Sequence, residues 1–112
     1  MPYRPLESNI TKNILKYLRS LKDCFAWKVH GGMYGTAGIP DVVVCYRGRF
    51  LAFEVKRPGN KPTKLQAATI KKMRQAGGDV HVVTSVGEVK EVMRATTRDT
   101  AGAATTTTGA TG

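Results

Sequence analysis

The sequence predicts an α/β fold, a mixed four-stranded sheet flanked by helices in the order α-β-β-β-α-β-α. Three observations point there. Apolar residues recur at helical spacing along three segments, from about Leu6 to Leu21, Thr63 to Ala76 and Ser85 to Ala95. Four short stretches rich in β-branched and aromatic residues lie between these segments, bounded by Gly, Pro, Asn and Asp. The last of these stretches follows a helix that itself follows the third. A crossover of that kind is right-handed and sets the fourth strand parallel to the third.

Met1–Leu6 carries two prolines and reads as an extended lead-in. In the helix that follows, Leu6, Ile10, Ile14, Leu18 and Leu21 fall on one stripe, while Lys12, Lys16, Arg19 and Lys22 take other faces. Asp23-Cys24 turns into a strand over Phe25–His30. Phe25, Trp27 and Val29 alternate with Ala26, Lys28 and His30; Trp27 is expected in the core rather than as a platform for bases, and His30 is expected to be structural. Gly31–Gly38 (GGMYGTAG) holds four glycines and no apolar periodicity, so it reads as a loop. It lacks phosphate-loop spacing. Tyr34 and Thr36 are its candidate contacts to a nucleic-acid backbone or base; a plain connection is the alternative.

Gly38–Lys56 (GIPDVVVCYRGRFLAFEVK) reads as two strands joined around Arg47-Gly48-Arg49. Residues two apart on a strand share a face. Glu54 and Lys56 therefore share one with Phe50 and Ala52, while Leu51, Phe53 and Val55 face a core. Pairing around the turn brings Asp41 beside Glu54. Converging carboxylates repel, and desolvation adds to the cost. A divalent cation removes that objection, because hard cations such as Mg²⁺ take carboxylate oxygens. Lys56 would then position a water or stabilise phosphate charge. A strand-end salt bridge of Lys56 with Glu54 or Asp41 is the competing account.

Arg57–Pro62 (RPGNKP) is a basic, turn-rich loop. Arg57, Lys61 and Lys64 are candidate non-specific phosphate contacts, or simply solvated. In the second helix Thr63 with Gln66 fits a capping box. Leu65, Ala68, Thr69, Met73 and Ala76 give its expected inner face, and Gly77-Gly78 stops it. Asp79–Thr84 is the fourth strand, with Val80, Val82 and Val83 largely buried. Ser85 with Glu88 opens a last helix striped by Val86, Val89, Val92 and Met93. The segment from Arg98 onward is low-complexity Thr, Ala and Gly. Residues 1–97 are therefore expected to form one domain and residues 98–112 a disordered tail.

The chain has 112 residues and a formal net charge of +10. The length fits one domain with a modest core, and the charge suits a polyanionic partner. No apolar run reaches membrane-spanning length and no signal-peptide pattern is present. Cys24 and Cys45 read as reduced core residues, and with two distant histidines they lack zinc-site spacing. A cytoplasmic, unsecreted protein without a small-molecule cofactor is expected.

Pro40-Asp41, followed on the next strand by Glu54-Val55-Lys56, resembles the PD-(D/E)xK nuclease superfamily. With an early helix bearing Glu7, the GIPD run (Gly38–Asp41) and a later helix bearing Gln66, the stretch from about Arg4 to Arg94 resembles the VRR-NUC domain, the virus-type replication-repair nuclease module. The resemblance implies a restriction-endonuclease-like core and a structure-directed DNA endonuclease that uses Mg²⁺ or Mn²⁺. It suggests branched or Holliday-type junctions as substrate, in a bacterial or phage-infected cell. Asp41 and Glu54 become the metal ligands, with the Val55 carbonyl a third, and Lys56 serves the attacking water or the developing charge. Glu7 and Gln66 become holders of water behind them. Glu7 also suits the positive end of its helix, and Gln66 also suits its cap; for Gln66 the resemblance favours the site. Cutting both strands of a junction takes two active sites, so a homodimer is expected. The alternatives are a catalytically silent nucleic-acid-binding module on the same fold and a small basic structural protein.

Overall fold

The computed structural model describes residues 5–30 and 35–104, with side chains through residue 98. The elements run α1 (Glu7–Arg19), β1 (Cys24–Lys28), β2 (Val42–Tyr46), β3 (Arg49–Val55), α2 (Lys64–Gln75), β4 (Asp79–Val83) and α3 (Val86–Ala104), in the expected order. The four strands form one sheet in the order β1-β2-β3-β4. β1 and β2 pair antiparallel, as do β2 and β3, and β4 joins β3 in parallel.

The β2–β3 hairpin sets the register of everything else. Tyr46 pairs with Arg49, so the turn is Arg47-Gly48 alone. Both residues have positive φ, 49° and 83°, the twist a two-residue hairpin requires. Gly48 adopts this without cost. Arg47 is held there by its N–H donating to the Asp23 carbonyl at 3.3 Å, with its guanidinium over the Tyr46 ring.

Two layers of helix enclose the sheet. On one face α1 and α3 bury Ile14 and Leu18, Val89 and Met93 against Val42, Val44, Leu51, Phe53 and Val55. Each large apolar side chain buried there contributes about 1.5–3 kcal/mol, so this layer carries most of the stability. On the other face α2 makes a smaller contact: Ile70 and Met73 over Ala52 and Val80.

Several expectations shift. Leu6 is not on the buried stripe; it is the exposed N-cap of α1, and Thr11 and Leu15 take buried places. The inner face of α2 is Ile70 and Met73, while Leu65 is 55% exposed. Val82 is partly exposed because it lies on the face that α2 only partly covers. α3 runs to Ala104, beyond the point where a disordered tail was expected. The Ala-rich stretch at 101–104 favours helix once α3 is nucleated; residues 105–112 lie outside the described residues.

The largest correction is β1. It runs Cys24–Lys28 rather than Phe25–His30, and its faces are the reverse of those expected. Ala26 is buried, whereas Phe25 is 66% and Trp27 38% exposed. Alternation shows which residues share a face, not which face is covered. Here α1 packs across β1, and the small Ala26 admits it. Cys45 is likewise exposed rather than in the core.

Candidate active site

Residue pairing along β2 and β3 ends at Val42 opposite Phe53. One step further, Asp41 stands opposite Glu54. Pro40 precedes Asp41 and has no N–H, so it cannot extend the ladder. The Asp41 side chain takes over instead: its Oδ2 accepts from the Val55 N–H at 2.7 Å. The Asp41 carbonyl accepts from the Val29 N–H at 2.8 Å, continuing the pairing towards β1. On the other side of β3, the Lys56 N–H donates to the Val83 carbonyl at 2.9 Å. Both neighbours thus hold the end of β3, and Glu54 and Lys56 project from a fixed backbone.

Glu54 is 1% exposed. Its Oε2 lies 3.7 Å from the Lys56 Nζ, and the lysine side chain is itself only 12% exposed. Its Oε1 is buried and has no hydrogen-bond partner among the described residues. Burial pushes the Glu54 carboxyl up to about 8, and the charge of Asp41 and a hydrogen bond with it push the same way. Lys56 opposes the shift, and the charge of Glu7 adds to it. The strand-end salt bridge is therefore present, but it does not balance the site. Two acids face one ammonium, and one buried acceptor stays unsatisfied, which ordinarily costs about 1–3 kcal/mol. A divalent cation fits this donor set: it would accept the unpartnered Oε1 and offset the repulsion between Asp41 and Glu54. Among the described residues no group of three His, Cys, Asp or Glu side chains is close enough to hold a metal. Two carboxylates would be the protein's side-chain share, and so small a number would suit Mg²⁺, which keeps several waters.

The other expected site residues divide. Glu7 opens α1 and its charge is felt at Glu54. At Val55 the contact shown is through the N–H, to Asp41, rather than through the carbonyl. Gln66 closes its helix cap. Its Oε1 accepts from the Thr63 N–H at 2.9 Å, and its own N–H donates to the Thr63 Oγ1 at 3.1 Å. The leaning towards the site is corrected here: the cap engages this side chain. Arg57 follows Lys56 directly and is half-buried, while Lys61, Lys64 and Thr36 are exposed. Tyr34 lies outside the described residues.

Gly38 has a role that sequence reasoning missed. Its φ is +78°, and a Cβ there would stand 2.6 Å from the Thr69 Oγ1 and 3.0 Å from the Leu65 carbonyl. The loop entering Pro40-Asp41 thus lies directly on α2, and only glycine allows the approach. The signal was the first letter of GIPD, three residues before the acid.

Comparison with protein-family models finds no match, and comparison with curated proteins finds none. Solved structures do resemble the chain. One described as "VRR_NUC domain" superposes with a TM-score of 0.68 at 27% identity, covering 79% of this chain and 94% of its own. A second, described as "VRR_NUC domain protein", gives a TM-score of 0.68 at 17% identity, covering 82% of this chain and 88% of its own. The likeness read from four sequence elements extends over most of the chain.

Proposed function

We propose that this chain, which has the fold of solved VRR-NUC domains, is a metal-dependent, structure-directed DNA endonuclease. The observation that carries the reading is Glu54: a buried carboxyl beside Asp41, with an oxygen that finds no hydrogen-bond partner among the described residues. Asp41 and Glu54 would hold Mg²⁺ or Mn²⁺, which when bound supplies charge for the scissile phosphate and acidifies a water. Asp41 does this while its Oδ2 anchors the end of β3, so its aim is fixed by the sheet. Lys56 keeps its ammonium 3.7 Å from Glu54, where it orients the attacking water and stabilises charge developing on the phosphate. Arg57, Lys61 and Lys64 bind the backbone on either side. Branched or junction DNA is the proposed substrate and a homodimer the proposed assembly, since a domain this small offers little surface for reading sequence.

Cleavage of labelled single-stranded, duplex, flap and four-way substrates with Mg²⁺ or Mn²⁺ tests the proposal. Asp41→Ala and Lys56→Ala are expected to abolish cutting and leave DNA binding largely intact. Binding without cutting, under every divalent metal, would instead establish a silent binding module. Native mass measurement tests the dimer.

A further inference from the structure

The sheet face that carries Asp41 and Glu54 is only half covered. Directly opposed residues in an antiparallel pair share a face, and so do residues two apart. Behind the Asp41–Glu54 row comes Trp27–Val43–Ala52, and behind that Phe25–Cys45–Phe50. α2 covers the Ala52 side, but among the described residues nothing covers the β1 side. Phe25 is 66% exposed, Phe50 44% and Trp27 38%, and the Phe25 and Trp27 rings lie 5.6 Å apart, tilted by 47°. At the Phe50 end the strip runs into a cavity of about 260 Å³ lined by Phe50, Met73, Ala76, Gly77 and Gly78. The soluble face of a sheet has no folding reason to show three large aromatic rings in adjacent rows.

What borders the strip identifies its occupant. From Lys56 to Gly78, the chain that frames it contains seven cations and no carboxylate. A second copy docking here symmetrically would bring two such cationic stretches together. A polyanion with flat apolar groups meets the opposite case, with phosphates along α2 and its preceding loop and rings on rings. We propose that this strip is a stacking platform for unpaired bases of a DNA strand that runs from the cut site down the open face over β1. The first row behind the acids lies about 7 Å away and the second about 14 Å, so Trp27 and Phe25 serve successive positions. The platform rests on the endonuclease reading for its direction, and it narrows the substrate to DNA with an unpaired segment beside the cut.

Trp27 is the chain's one tryptophan, so its fluorescence reports the platform without a label. The test is titration of the full chain, in EDTA so that nothing is cut, with a thymidine single strand and with a blunt duplex of equal length. The single strand is expected to quench Trp27 to saturation and the duplex to quench it far less. Trp27→Ala should weaken single-strand binding by about five-fold or more while changing duplex binding little, and Trp27→Phe should restore most of the loss. Equal weakening for both DNAs, or no quenching by the single strand, overturns the platform. So does a native mass of two chains that Trp27→Ala reduces to one, because a second copy would then own the strip. The two readings fail separately: quenching can stand in a protein that no metal activates, and cutting with a silent Trp27 defeats the platform alone.

Discussion

Glu54→Gln is expected to stabilise the metal-free protein at alkaline pH while destroying the site. The carboxyl is raised from 4.5 to about 8, by burial first and by Asp41 second. A folded pKa above the unfolded one means that the native state holds the proton more tightly. The stability this contributes is complete below 4.5 and is lost as the pH climbs to about 8. The gap between those values corresponds to about 5 kcal/mol at full ionisation. Asp41 is only half-buried, so screening trims the figure to about 2–4 kcal/mol. Glutamine keeps the shape, cannot ionise, and can donate to Asp41. In a domain of this size that difference is roughly 10–20 °C in melting temperature.

The assay is a set of thermal melts in EDTA from about pH 5 to pH 9, within reach of both values that bound the window. Wild type should lose stability across that range and Glu54→Gln should not, so the curves meet in acid and separate in base. Adding Mg²⁺ at the alkaline end should recover wild type, since a ligand that binds only the native state stabilises it, and should do little for the variant. Parallel curves in EDTA would refute the reasoning, because they would mean that Glu54 ionises freely and that Asp41 is no burden to it.

Three further expectations follow from single contacts. Gln66→Ala should lower stability by about 1 kcal/mol through its cap and leave the cleavage rate within a few-fold of wild type, measured under saturating Mg²⁺; a loss as deep as that of Asp41→Ala would return Gln66 to the site. Gly38→Ala should destabilise by about 1–3 kcal/mol, from its left-handed φ and the clash with Thr69, and should slow cutting because the loop that enters Asp41 is displaced; melts and single-turnover rates read both. Replacing Lys61 and Lys64 together by Ala should flatten the slope of log affinity against log salt by about 2 at most, in filter binding or anisotropy, without changing the choice among DNA shapes.

The hairpin was legible because apolar alternation on both sides of a glycine turn coincides with acids flanking it; the turn was read around Arg47-Gly48-Arg49, and the pairing of Tyr46 with Arg49 shortens it by one residue and sets the register. β1 was misread because its five residues alternate equally well in either sense; what decides is that α1 and α3 share a face, a contact between segments distant in sequence. Leu65 misled in a similar way. The periodicity of α2 admits either Leu65 or Ile70 at the inner edge, and the close approach of the Gly38 loop settles it by occupying the Leu65 side. Gln66 carried two signatures at once, and the local one won, since a cap closes within its own turn whereas a site must be reached across the sheet.

The register is also where fold and chemistry become one requirement. Slipping β2 by one residue against β3 would turn Val43 and Cys45 into the main core and Val42 and Val44 out of it. The same slip would move Asp41 off the Glu54 row and leave the Val55 N–H without its acceptor. The large core under α1 and α3, which resists that slip by several buried valines, leucines and a phenylalanine, is therefore what forces two mutually repelling carboxyl groups to stay together. The strain at Glu54 is small beside the burial that opposes its release, and this imbalance allows a chain of modest size to hold an unsatisfied acid at the end of its hairpin.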